Sequence, residues 1–150
     1  FGEQKRVFSM IPALRNAEFV RYGVMHRNTF LDSPRLLDAT YALKAEPRIR
    51  FAGQMTGVEG YIESTASGWV AGVAAAMEVL GRPMPQLDRF TAVGALASYI
   101  SDHTVTKFQP MNINFGIIEP LGYKIKGKRE KNAKISERAL ERIESLKGEL

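Results

Sequence analysis

Apolar positions fall at helical spacing twice in the second half of the chain. Val93, Leu96, Ala97 and Ile100 make one stripe, with Thr91 placed to cap it, which predicts a helix over 91–102. Ile135, Ala139, Ile143 and Leu146 make another, amid charge on the other faces, and predict a helix over 130–147. A third helix is expected over 62–80, beginning near Tyr61, where the pattern is almost wholly small and apolar; Gly81, Pro83 and Pro85 mark its stop. Near the start, 4–17 reads as a short helix. Phe19, Val20, Tyr22 and Val24 then alternate well enough to predict a strand over 18–25, followed by a polar loop over 26–34. Further strands are expected at 39–43 and 49–52, with Pro47 at the turn between them. The stretch 107–123, with Pro110, Gly116, Pro120 and Gly122, must be mostly irregular. No internal repeat is present.

The segment 51–76, FAGQMTGVEGYIESTASGWVAGVAAA, carries the most functional information. A short strand runs into a turn punctuated by Gly53, Gly57 and Gly60, and the small-residue helix follows. A glycine turn lets the backbone approach a ligand where a Cβ would collide. The helix would aim unpaired N–H groups and its positive dipole end at that ligand. Such construction suits a phosphate-bearing cofactor, and it also suits an ordinary strand–turn–helix packing unit. Around it, Gln54 offers both a donor and an acceptor. Glu59 and Glu63 are favoured by the dipole, and Glu59 is expected to point away from any phosphate. Asn112 and Asn114 are spaced to face one way in an extended chain, where they would bond a ligand edge or satisfy irregular backbone. His26 and Arg27 stand in the polar loop directly after the expected strand, as ordinary loop residues or as groups mounted near a ligand. His103 closes the helical pattern over 91–102 as a partner for the dipole at its C-terminus.

Composition narrows the class. With 150 residues, 45% of them hydrophobic, the chain is long enough for one domain with a real core, here taken as 1–150. It has no cysteine, hence no disulfide and no cysteine-based metal site. Its two histidines lie far apart among scattered carboxylates, so no metal constellation is expected. No signal peptide is visible, and the uncharged run 64–77 is too short and too rich in Gly and Ser to span a membrane; a cytoplasmic protein is the default. The net charge of +5 is unevenly placed. Lys124, Lys126, Lys128, Arg129, Lys131 and Lys134 crowd into 124–134 against Glu130 alone, either as a solvated loop or as a surface for a polyanion.

The turn GQMTGVEGYIES, with RYGVMHRNTF (21–30) and FQPMNINFG (108–116), resembles one family closely: the folate- and FAD-dependent tRNA uracil-5-methyltransferases, TrmFO. The MnmG/GidA tRNA-uridine modification flavoproteins share the turn but not the other two strings. The resemblance implies an α/β fold, the C-terminal portion of an FAD-binding flavoprotein with short strands, a small-residue helix and further C-terminal helices. Such proteins carry an N-terminal Gly-x-Gly-x-x-Gly and essential cysteines; both would lie in a missing N-terminal part, and no catalytic residue is expected in this chain.

The resemblance further implies FAD contact by Gly53, Gln54, Thr56, Gly57, Val58, Gly60, Tyr61, Asn112 and Asn114, with His26, Arg27 and Asn28 close to the folate or substrate. Methylenetetrahydrofolate and NAD(P)H would be co-substrates, and tRNA would meet the basic cluster. A non-catalytic, basic RNA-binding module is the reading from another class. It leaves the glycine turn and Gln54 without a purpose, just as a small-molecule oxidoreductase leaves the lysines without one.

Overall fold

The computed structural model describes residues 2–23 and 29–149. Its elements are α1 (Gly2–Phe8), α2 (Ser33–Leu36), β1 (Ala42–Leu43), β2 (Glu46–Arg50), α3 (Tyr61–Val79), α4 (Ala92–Ser101) and α5 (Lys128–Lys147). The arrangement is mixed α/β, with helices dominating and β1 and β2 paired as an antiparallel hairpin.

The core gathers where α3 and α4 meet the segment before the hairpin. Leu37, Tyr41, Val58, Val70, Ala71, Leu96, Ala97, Ile100 and Phe108 form one buried cluster. Each large aliphatic side chain there contributes on the order of 2 kcal/mol by leaving water. Ser67, Ala71 and Ala74 are the buried positions that let α3 be approached closely. A smaller cluster of Ala95, Ile118 and Ile135 seats α5 against α4. Polar ties secure the same helix. Arg142 Nε donates to Asp88 at 2.7 Å, and the Arg138 guanidinium lies 4.5 Å over the Phe90 ring.

The long elements match their patterns. Thr91 Oγ1 accepts from Gly94 N at 3.0 Å, the capping bond its position implied. Gly81, at φ 64°, closes α3, and α5 begins two residues earlier than its stripe suggested. The stretch 107–123 contains no helix or strand, and its backbone makes one isolated parallel bridge, Val58 to Met111.

The short elements differ. The expected helix over 4–17 breaks after Phe8, and Pro12 opens a 3-10 turn over Pro12–Leu14, because its ring blocks a continuous helix. The strand expected over 18–25 is absent at 18–23, and its last two positions lie outside the described residues. Alternation alone cannot sustain a strand that has no edge to pair with. Phe19 stacks instead on Tyr22 and tilts against Phe8, with ring centroids 5.1 and 5.6 Å apart.

The strand expected at 39–43 shrinks to Ala42–Leu43. Asp38 draws the preceding chain into a turn through its carboxylate, which accepts from Thr40 N at 2.7 Å and Ala42 N at 3.1 Å. Pro47 sits inside β2, not at the turn, which falls at 44–45. A two-stranded hairpin leaves one side of each strand unpaired, so a residue without N–H is tolerated. Ser33 and Pro34 begin α2 and are not part of a loop.

Candidate functional site

A 3-10 turn over Gly53–Thr56 and the left-handed Gly57, at φ 84°, reverse the chain after β2. The loop is pinned from several sides. Ser67 Oγ, in the second turn of α3, accepts from Gly53 N at 2.7 Å, and Thr56 Oγ1 donates to the Gly53 carbonyl at 2.7 Å. Ser33 Oγ donates to the Thr56 carbonyl at 2.9 Å, and Leu31 N donates to the Met55 carbonyl at 2.8 Å. The chain thus reaches α3 with its shape fixed before any ligand is considered.

The 108–116 segment lies along the far side of this turn. Met111 N donates to the Gly57 carbonyl and Glu59 N to the Met111 carbonyl, each at 3.0 Å. Phe108 is buried directly over Gly57, so that a Cβ on Gly57 would collide with the Cζ–Cε1 edge of its ring. Phe30, from the first of the three strings, meets Phe108 edge-on at 6.0 Å between centroids. Glu63, in the first turn of α3, accepts from Ile113 N at 3.4 Å. At Gly60, φ 95°, a Cβ would strike the Glu63 carboxylate and lie 2.8 Å from the Asn112 amide. The 108–116 string therefore packs on the 53–61 turn, and Phe30 brings the last residue of the first string against it.

The predicted site residues divide by depth. Thr56, Gly57 and Val58 are buried and hold the turn from beneath. Gln54, Gly60, Tyr61, Asn112 and Asn114 are exposed on its open side, with Gly53 between the two sets. Asn114 is already engaged within its own loop: its Oδ1 accepts from Gly116 N at 2.9 Å and its Nδ2 donates to the Asn112 carbonyl at 3.3 Å. Gly60 caps α3 without a side-chain acceptor, so the amides of its first turn remain available to a ligand. Of the two acids, Glu63 ties the backbone of Ile113 to the start of α3. The supports that sequence reasoning missed are Ser33, Ser67 and Phe108; isolated hydroxyls and one phenylalanine carry no local signal of a contact so distant in sequence.

His26, Arg27 and Asn28 lie outside the described residues. Next to them in the chain, Phe30 and Asp32 border an open hollow of about 420 Å³ together with Lys107, Phe108 and Gln109. A second groove of about 420 Å³ lies between α4 and α5 and is walled mainly by Val93, Ile113, Phe115, Ile135 and Ile143. His103 is exposed two residues beyond α4. No cluster of three or more metal-binding side chains exists among the described residues, nor does any helix there have the length and apolarity to cross a membrane.

The basic cluster is placed apart from these features in the chain. Lys124 and Lys126 precede α5, while Lys128, Arg129, Lys131 and Lys134 ride on its first two turns, all exposed. Lys134 donates to Glu137 at 2.6 Å, and this bond holds its pKa above the ordinary lysine value. Lys128, Arg129 and Lys131 sit at the positive end of the helix dipole, where cations are disfavoured. The helix carries them at some cost to itself and concentrates positive potential at that end.

A family model described as glucose inhibited division protein A matches residues 1–83, which hold the hairpin, the glycine turn and α3. The chain belongs to this family. It is also similar along nearly its whole length to proteins named methylenetetrahydrofolate–tRNA-(uracil-5-)-methyltransferase TrmFO, in keeping with the resemblance carried by the three strings. The relative from Acetivibrio thermocellus is 61% identical over 138 residues, 92% of this chain and 32% of the relative. That from Lactiplantibacillus plantarum is 57% identical over 149 residues, 99% of this chain and 34% of the relative. That from Listeria monocytogenes is 54% identical over 150 residues, all of this chain and 35% of the relative. The chain spans about a third of the length of the relatives it matches.

Proposed function

We propose that this chain is part of a cytoplasmic flavoenzyme that methylates carbon 5 of the T-loop uridine in tRNA. Methylenetetrahydrofolate would be the carbon donor, and FAD with NAD(P)H the reductant. The chain forms a single domain over 1–150, the C-terminal part of an FAD-binding unit, and contributes one wall of the flavin site and a surface for tRNA. The observation that carries this reading is the packing of the 108–116 string, and of Phe30 from the first string, on the 53–61 turn. The names of the relatives support the reaction.

The residues present fit a flavin in a definite way. The uncapped first turn of α3 offers N–H donors beside Gly60, and Gln54, Tyr61 and Asn112 are exposed around it. Glu63, however, already sets a carboxylate across the start of that helix. A pyrophosphate placed there would face it through a few ångström of low-dielectric space. The uncharged parts of the cofactor, ribityl hydroxyls and ring carbonyl edge, are what this opening would hold. FAD would supply the electrons that bring the one-carbon unit to the methyl level. The chain's own groups bind and orient it: Gln54 and the α3 amides by hydrogen bonds, Tyr61 by covering apolar surface. Thr56, Gly57 and Val58 keep the turn in shape. His26, Arg27 and Asn28 are assigned to the folate and substrate side, and Lys124, Lys126, Lys128, Arg129, Lys131 and Lys134 to tRNA phosphates.

The family match over 1–83 alone would equally suit a flavoprotein that modifies the wobble uridine of tRNA. The identity of 54–61% continuing through the remaining residues favours the methyltransferase. The flavin assignment is tested in the full-length protein with Gly60→Val. The new side chain must displace Glu63 and Asn112, and flavin absorbance per mole of protein should fall several-fold. Unchanged flavin content in the folded variant overturns the assignment.

A further inference from the structure

α3 is apolar almost all round, yet one of its faces is left largely uncovered by the described residues. The opposite face is the core: Ser67, Val70, Ala71, Ala74 and Met77 are buried. On the open side, Tyr61 is 96%, Ile62 82%, Trp69 46% and Val79 87% exposed, with Thr65, Gly72 and Ala76 exposed between them. A helix that is apolar on all sides is a buried helix, and at 1.5 Å per residue this strip runs for roughly 27 Å. Its two acids do not interrupt the strip. Glu63 turns to the backbone of Ile113, and Glu78 accepts from Arg50 at 2.6 Å. Midway along, a Cβ added to Gly72 would meet nothing within 4 Å, so a neighbouring element has room to lie close against the helix backbone.

We infer that this face of α3 is the seam on which the other two thirds of the polypeptide packs. Relatives similar over nearly all of this chain are about three times its length, so a covering layer of the same molecule is to hand. A solvated face of this size without a charge is rare on a finished protein surface. A second copy of the chain or a foreign partner would have to compete with a segment tethered to the helix itself. The occupant is an uncharged apolar surface contributed in cis. Because Tyr61 and Ile62 continue the strip into the 53–61 turn, the open side of that turn lies on the same seam. This inference does not depend on the reaction proposed above.

Hydroxyl-radical footprinting of the full-length protein tests it. Trp69, Ile62 and Val79 should be modified at least about tenfold more slowly than Tyr123 and Leu140, which are exposed and lie off the strip. The protection should not change with protein concentration. Gly72→Glu in the full-length protein should lower Tm by about 5 °C or more, since it places a charge in the seam, while Arg82→Glu outside the strip should not. Free reactivity of Trp69 and Val79 overturns the inference. Protection seen only at concentrations where the protein self-associates also overturns it, and assigns the face to a second copy.

Discussion

Tyr41 and Thr91 show how single side chains hold this fold. Tyr41 is buried in the main core with a positive φ of 63°, a conformation that costs a non-glycine residue on the order of 1 kcal/mol. The Asp38 turn forces it there: Tyr41 N donates to the Asp38 carbonyl at 3.0 Å. Burial pushes the phenol's pKa far above the ordinary tyrosine value. An acid whose folded pKa is raised adds stability below its unfolded value, and that stability drains away as pH climbs past it. Melts of the full-length protein above about pH 10 should therefore lose stability faster than those of Tyr41→Phe; parallel alkaline profiles would refute this. Thr91 is buried as well and caps α4 through Gly94 N. Thr91→Val keeps the volume and removes the acceptor, and should lower stability by about 1–2 kcal/mol in denaturant titrations. That cap was legible in the sequence because its signal is local. The Ser33 and Ser67 ties to the turn were not, since nothing in a lone serine tells which backbone it will meet.

The elements divide along the same line. α3, α4 and α5 were readable because ten or more residues repeat one spacing, and their own backbone bonds are satisfied within each helix. The strand expected over 18–25 and the length assigned to β1 were misread because a strand needs a partner that periodicity does not reveal. Pro47 was misplaced for a related reason, since only the pairing shows that β2 has a free side. α5 poses the sharper question of why cations stand at its N-terminus. Lys128 opposes the dipole of its own helix, so Lys128→Glu should stabilise the fold by about 0.3–1 kcal/mol, visible as a small rise in Tm. If the cluster contacts tRNA, the same change should weaken binding. Replacing Lys126, Lys128 and Arg129 together with Ala should lower affinity whatever the sequence around the target uridine. It should also flatten the dependence of log K on log salt by about one unit per lost phosphate, with flavin content unchanged. An unaltered salt slope would place the tRNA elsewhere and leave the cluster as a solvated surface.

At the scale of the whole molecule, the packing of 108–116 and of Phe30 on the 53–61 turn was not legible in the sequence, where the strings served only to carry the family resemblance. Pattern alone predicts each segment's local state, and no spacing rule links Phe30 to Phe108 or Gly57 to Met111. The structure shows the contacts that join them: Phe108 roofs Gly57, Met111 pairs with the turn's backbone, and Phe30 meets Phe108 edge-on. It also shows an open turn flanked by the bare strip of α3, which sets an expectation for the 150-residue chain taken alone. In the proposed reaction the family resemblance implies a cysteine thiolate as the group that adds to carbon 6 of uracil, and this chain has no cysteine to provide one. The proposed flavin wall, moreover, would face water where the rest of the protein is inferred to pack, so the cofactor would lose much of the surface that excludes solvent from it. The isolated chain should therefore show no transfer of the one-carbon unit to tRNA when supplied with methylenetetrahydrofolate, FAD and NADH. It should also release flavin on gel filtration, while the full-length protein retains it under the same conditions. Turnover by the chain alone, measured as 5-methyluridine in the digested tRNA, would mean that a group other than a cysteine thiolate attacks the ring, and the division of labour proposed for this fold would have to be redrawn.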